Sequence, residues 1–173
     1  MGIVTKTGDD GHTEIITGER LPKDHPAIEC LGTLDELNAF LGDAKAAIAN
    51  TAAANSGDSS AADIITQIQK DLFTLMGVIA GTPIPPDGIG EERLDALIAK
   101  LESAELPAGL PMKPPISSFA VPGENPVSAK LHIARTVCRR AERHVVALAR
   151  VKKTEAAVMR YINRLSDVLF LLA

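Results

Sequence analysis

Aromatic residues are scarce: the sequence has no tryptophan, one tyrosine and four phenylalanines, together 3% of the chain. Base-stacking platforms are therefore excluded, and a formal net charge of −4 argues against a nucleic-acid binder as well. There are two cysteines, Cys30 and Cys138, far apart and in no CxxC or Cys/His cluster. That excludes a disulfide framework and a zinc site, and it suits a reducing cytoplasm. No apolar run approaches the ~20 residues needed to cross a bilayer. The N-terminus lacks the charged-then-apolar layout of a secretion signal, so a cytoplasmic protein without membrane association is expected. GxxxxGK[ST] and GxGxxG are absent. So is ExxH, which a ferritin-like metal bundle needs twice.

What is present is an apolar content of 46% in 173 residues, enough for one domain spanning 1–173 with a substantial core. After residue 25 the pattern is helical. His25-Pro26 opens the first helix, with Pro26 suited to its first turn and Asp24 and Glu29 to the positive end of its dipole. Ile28, Leu31, Leu34, Leu37 and Leu41 follow at spacings of three and four, predicting one buried stripe. TAAANSGDSS (residues 51–60) reads as a loop, with Asp58 or a serine capping the next helix. The second helix carries Ile64, Ile65, Ile68, Leu72, Leu75, Met76 and Ile79 and stops at Gly81. After the break TPIPPDGIG, a shorter third helix holds Leu94, Leu97, Ile98 and Leu101. A Pro-rich loop follows, long enough that a functional role is expected of it. Asn125-Pro126 then supplies an N-cap and an N1 proline for a fourth helix reaching about Arg150, with Ile133, Val137, Ala141 and Val145 inward. A fifth starts near Thr154, with Val158, Ile162, Leu165, Leu169 and Leu172 inward. GHTEII is the one strand-like segment. The expected fold is all-α: a five-helix antiparallel bundle over 26–173, preceded by an ordered loop over 1–25.

Three segments concentrate polar chemistry. ARTVCRRAERHV places Arg135, Arg139 and Glu142 at i, i+4 and i+7, one polar stripe, with Arg140 and Arg143 beside it. This is either a solvated face laced with Arg–Glu pairs or a grip on phosphate, which arginine engages two oxygens at a time. In MRYINRLSD, Arg160, Asn163 and Asp167 share the face opposite the leucines. TKTGDDGHTEI (residues 5–15) could be a plain Asp-Gly turn. It could also be a glycine-relaxed loop whose amides, threonines and Lys6 approach phosphates. Together with Lys23, these segments hold the parts of a polyphosphate site.

TKTGDDG, GERLPKD, GTLDELNAFLG, PGENPVSAKLHIARTVCRRAERHV and YINRLSD, in this order, resemble the PduO-type ATP:cob(I)alamin (corrinoid) adenosyltransferases over nearly the whole chain. The resemblance implies a homotrimer with ATP and corrinoid bound between subunits. It also implies transfer of the 5′-deoxyadenosyl group of ATP to a Co(I) corrinoid, with triphosphate leaving. Thr5, Lys6, Thr7 and Gly8 would wrap the triphosphate, with Thr13, Glu14 and Lys23 beside them. Arg139, Arg140, Glu142, Arg143 and Asn163 would approach the nucleotide from the helices, Arg139 as the indispensable residue. Arg135 would pair with Asp35 of a neighbouring subunit. Phe119 would stand beside the corrin ring and displace its lower axial base. Mg²⁺ is expected on the phosphates, with no dedicated set of protein ligands. A flavin-dependent reductase and an acceptor enzyme that uses adenosylcobalamin are the implied partners.

PGENP stands where the family usually has PGGSP, implying a stiffer entry to the fourth helix. The sequence stops at LLA, where relatives extend, implying a more open corrinoid pocket. A bundle of the same fold that binds ATP or adenosylcobalamin as sensor or delivery partner is the alternative; intact Arg139, Asn163 and Phe119 favour the enzyme.

Overall fold

The structure, a computed structural model, describes residues 6–55, 60–103, 107, 110 and 121–173, without the side chains of 51–55. A two-stranded antiparallel ribbon, β1 (His12–Glu14) and β2 (Arg20–Pro22), precedes five helices. These are α1 (Pro26–Asn55), α2 (Ser60–Ile79), α3 (Glu91–Glu102), α4 (Pro126–Ala149) and α5 (Ala156–Leu172). None of the described helices is long and apolar enough to cross a membrane.

The helix ends follow the local chemistry. At the start of α1 the Ala27 amide donates to His25 Nδ1 (3.1 Å), so His25 caps the turn that Pro26 opens. At α4 the Ser128 amide donates to Asn125 Oδ1 at 2.9 Å, the expected cap ahead of Pro126. α2 ends in a Schellman turn: Thr82 N–H reaches Gly77 O (2.9 Å) and Gly81 N–H reaches Val78 O (3.0 Å). Gly81 sits at φ 105°, the left-handed conformation that this turn demands.

Two expected boundaries shift. α1 runs on through Thr51–Asn55, part of the segment read as a loop, because three consecutive alanines carry high helix propensity. Asp58 lies outside the described residues. α5 starts at Ala156 rather than Thr154, since Glu155 is extended and the Thr154 hydroxyl bonds back to Lys152 O (3.2 Å). Some inward positions also differ. Ile28 and Leu31 are only half-buried, and Ala27, Cys30 and Thr33 take the inner face of α1 beside Leu34, Leu37 and Leu41. On α4, Ile133 is 44% exposed while Ala134 and Cys138 are fully buried. Val137, Ala141 and Val145 are buried as expected, so only the position of Ile133 departs, its place being taken by Ala134.

α1 and α4 pack antiparallel at the centre, stitched by Lys130–Asp43, Arg140–Glu36 and His144–Glu29. α4 packs on α5, and α2 on α1. α3 runs parallel to α5, because Glu91 pairs with Arg160 and Asp95 with Arg164 in the same order. Each helix is antiparallel to the next in sequence, so the ends of α2 and α4, the starts of α1 and α5 and the ribbon share one end of the bundle.

A buried carboxylate joins three helices. Asp71 on α2, 4% exposed, accepts from Gln67 Nε2 (2.9 Å), Arg93 Nη2 (2.5 Å) and the hydroxyl of the fully buried Tyr161 (3.2 Å). Gly90 (φ 112°) is required here, since a Cβ would lie 2.6 Å from Asp71 Oδ2. Burial, and then the Asp71 charge beside it, push the Tyr161 hydroxyl well above the ordinary tyrosine pKa.

Candidate nucleotide and corrinoid site

The segment before α1 folds into a small cleft. β1 and β2 pair in the register His12–Pro22, Thr13–Leu21 and Glu14–Arg20, and Ile15 is buried beneath them. Residues 6–11 form a turn entered at Lys6 (φ 58°) and left at Gly11 (φ 82°), both left-handed. The Lys23 amide donates to Gly11 O (2.9 Å), bringing the Lys23 side chain back over the turn. A Cβ on Gly8 would stand 3.2 Å from Lys23 Nζ and 3.3 Å from His12 O, so glycine lets the ammonium and the backbone come together. The resulting cleft, about 600 Å³, is lined by Thr7, Gly8, Thr13, Glu14, Arg20 and Lys23.

Five of those six lining residues are among those singled out from the sequence; Lys6 enters the same turn, and Thr5 lies outside the described residues. The sixth, Arg20, was missed. Its Nη2 donates to Thr7 O (2.8 Å) and to both oxygens of Asp10 (2.9 Å each). The Asp10 carboxyl is held below the usual range, chiefly because the His12 amide donates to it at 3.1 Å, with Arg20 adding to the effect. In sequence Arg20 is one more exposed cation; opposite Glu14 in the ribbon it becomes part of the cleft wall.

The helical part of the site is an α4–α5 surface. Asn163 Nδ2 donates to Glu142 Oε1 at 3.2 Å, so two residues 21 positions apart meet as one unit. Arg143 Nη1 bonds the Arg139 carbonyl (3.0 Å), which turns its side chain back along the helix. The Arg139 side chain is exposed and makes no hydrogen bond or ion pair among the described residues. Arg140, expected at the nucleotide, pairs with Glu36 of α1. Arg135 lies 6.0 Å from the centroid of the Phe170 ring, and its Nε approaches His132 Nδ1 (3.4 Å). Asp35 is exposed, and within the chain no ion pair joins it to Arg135 among the described residues. Nor does any hydrogen bond or ion pair connect the N-terminal cleft with the Arg139 stripe among them. Phe119 lies outside the described residues.

No group of three or more His, Cys, Asp or Glu able to hold a metal occurs among the described residues. Both thiols are buried, and burial pushes Cys30 up to about 12 and Cys138 well above the ordinary value, which leaves them inert as nucleophiles. What the surface offers is a cation-lined, amide-bearing cleft and a separate arginine–asparagine face. Both suit an anionic nucleotide, and neither resembles a hydrolytic dyad.

Comparisons with known proteins agree. The profile of the family described as cobalamin adenosyltransferase matches residues 3–173. The corrinoid adenosyltransferase PduO of Salmonella typhimurium is 38% identical over 177 residues, covering 100% of this chain and 49% of that protein. The chain thus spans about half the length of that relative. The corrinoid adenosyltransferase of Bacillus subtilis is 37% identical over 171 residues, covering 98% of this chain and 83% of its own length. Among solved structures, a variant PduO-type ATP:corrinoid adenosyltransferase from Lactobacillus reuteri, complexed with cobalamin and ATP, superposes with a TM-score of 0.81. It is 31% identical and covers 98% of this chain and 90% of its own.

Proposed function

The chain belongs to the cobalamin adenosyltransferase family, and from that premise we propose that it transfers the 5′-deoxyadenosyl group of ATP to a reduced corrinoid. The electron pair of Co(I) attacks C5′ of the ribose. The new Co–C bond forms as the C5′–O bond breaks, and triphosphate carries away the electrons of that bond. Charge builds on the leaving oxygen, so fixed donors around the triphosphate lower the barrier. The observation that carries this reading is the convergence of Thr7, Gly8, Thr13, Glu14 and Lys23 around one cleft.

In this reading Thr5, Lys6, Thr7 and Gly8 wrap the triphosphate and Lys23 supplies charge. Arg139, Arg140, Arg143 and the Glu142–Asn163 pair hold the nucleotide from the helices. Arg140 would exchange Glu36 for the ligand or stay as a strut. Phe119 takes the place of the lower axial base beside the corrin ring, which eases formation of Co(I) by an external flavin-dependent reductase. The chain acts as one adenosyltransferase domain, with 1–25 as nucleotide loop and 26–173 as bundle. It works as a cytoplasmic homotrimer in which the cleft of one subunit faces the Arg139 stripe of the next, and Arg135 pairs with Asp35 across that seam. That no hydrogen bond or ion pair links the two faces among the described residues supports this arrangement. A phosphate-bound Mg²⁺ would find one carboxylate in the cleft, Glu14, and would neutralise charge there; a metal that keeps most of its waters needs no more. The product passes to an adenosylcobalamin-dependent enzyme.

The test supplies ATP, Mg²⁺ and chemically reduced cobalamin and follows the loss of Co(I) absorbance. The chain should turn over, and Arg139→Ala should lower kcat/KM by about 10²–10³. Its unfolding midpoint should stay in place, because the side chain bonds nothing among the described residues. No turnover by the intact protein refutes the reading, as does a monomer in light scattering for the shared site.

A further inference from the structure

Arg20 stands in the cleft wall, yet its bonds point away from a role as a phosphate ligand. Nη2 alone serves three acceptors, Thr7 O and both oxygens of Asp10. The carboxylate beside it cancels its charge, which leaves Lys23 as the cleft's free cation among the described lining residues.

The turn it holds is weakly bonded along its own backbone. Within residues 6–11 the backbone bonds are long, Asp9 N–H to Lys6 O at 3.4 Å and Gly11 N–H to Gly8 O at 3.3 Å. Lys6 is in the left-handed region, which a side chain with a Cβ adopts only at a cost. Short bonds that fix the turn include those of Arg20 at its middle, the His12 amide to Asp10 Oδ1 (3.1 Å) and the Lys23 amide to Gly11 O at its end.

Geometry gives the clamp a direction. A trans peptide is planar, with its C=O and N–H on opposite sides. When Arg20 draws the Thr7 carbonyl to itself, the Gly8 amide is turned the other way. That N–H makes no hydrogen bond among the described residues, and it belongs to the residue over which Lys23 Nζ lies. The Gly8 amide, and the Lys23 ammonium packed against the same residue with no ion pair among the described residues, give a phosphate oxygen two donors to meet.

We propose that Arg20 and Asp10 form a positioning clamp that orients the Thr7–Gly8 peptide so that its N–H, with Lys23, receives a phosphate oxygen of the nucleotide. The clamp deepens the adenosyltransferase reading and rests on it. An exposed Arg–Asp pair contributes little to folding stability, so its effect falls on ATP rather than on the fold.

The experiment measures ATP binding by calorimetry, alongside KM for ATP and for the corrinoid, in wild type, Arg20→Gln, Arg20→Lys and Asp10→Asn. Both Arg20→Gln and Asp10→Asn should weaken ATP about tenfold or more, with corrinoid KM and unfolding midpoint unchanged. Arg20→Lys, which cannot reach three acceptors from one planar group, should recover only part of the loss. Combining Arg20→Gln with Asp10→Asn should cost no more than either alone, as for one unit. Hydrogen exchange over residues 6–11 in the ligand-free protein should quicken in Arg20→Gln. Asp10→Asn is the decisive arm. If it binds ATP as well as or better than wild type, Arg20 acts as a direct cation and the clamp is overturned. Unchanged exchange and unchanged ATP affinity in Arg20→Gln overturn it too. A wild type that binds no ATP removes the parent reading and the clamp together, which separates that failure from the others.

Discussion

Replacing Asp71 with alanine tests how α2, α3 and α5 are held in register. Three donors lose their acceptor, and their exposures set the cost. Gln67 is exposed and Arg93 is 51% exposed, so both turn to water. The full penalty for stranding a buried charge therefore does not apply, and Arg93 contributes about 1 kcal/mol at most. The Tyr161 hydroxyl is completely buried and cannot rehydrate, which costs about 1–3 kcal/mol. The sum is roughly 1–4 kcal/mol, or a fall in melting temperature of roughly 2–16 °C for a domain of this size. Urea unfolding at fixed protein concentration measures it. The decisive form is a double-mutant cycle with Tyr161→Phe, which has no hydroxyl to strand. In that background Asp71→Ala should be milder by about 1–3 kcal/mol. A coupling below about 0.5 kcal/mol refutes the assignment of Tyr161 as the costly partner.

Two further outcomes follow from the ion pairs. Burial alone would raise the Glu91 carboxyl, but its own amide, Arg160 and the Ile89 amide outweigh burial and hold it below its usual range. With the folded pKa lowered, the stability it confers is complete above the unfolded value, about 4.3. It is lost as pH falls through the lower folded value; Glu91→Gln should flatten that part of the acid-unfolding curve, and an unaltered curve excludes the Arg160 contact in solution. For the proposed seam, Asp35→Arg should dissociate the trimer in light scattering and abolish turnover, while Asp35→Arg combined with Arg135→Asp should restore both. Failure of the double reversal to restore either one argues against the cross-subunit pair.

Much of the bundle was legible because helix termini carry local chemistry. His25-Pro26, Gly81 and Asn125-Pro126 mark boundaries within two or three residues of the bonds that make them. What was missed depends on distance. Strands of three residues give alternation no room to show, so β2 was invisible until it paired with His12–Glu14. Asp71 reads as a stray polar residue among leucines; its partners Arg93 and Tyr161 lie 22 and 90 residues away. The alanines before Asn55 sat between polar residues and were read with them, although their propensity favours helix. In the candidate site the loop residues were legible through their glycines and threonines. Arg20 was not, since its meaning comes from Thr7 and Asp10 across the hairpin.

The arginines show most clearly what the structure adds. From the sequence the four arginines of α4 form one cationic cluster, with no means of separating struts from ligands. The fold sorts them by what they touch. Arg140, Arg160 and Arg164 are spent on Glu36, Glu91 and Asp95, each tying one helix to another. Arg135 is packed against His132 and Phe170. Arg139 is left with its guanidinium in solvent beside the Glu142–Asn163 pair. A guanidinium spared from the fold can change partners at no cost to stability, as a residue must if it is to gather charge that appears only when a bond breaks. Arginines already paired would first have to give up a carboxylate. Arg139 and Arg140 are adjacent in sequence, yet alanine at the first should cost rate alone, while alanine at the second should also loosen α1 from α4.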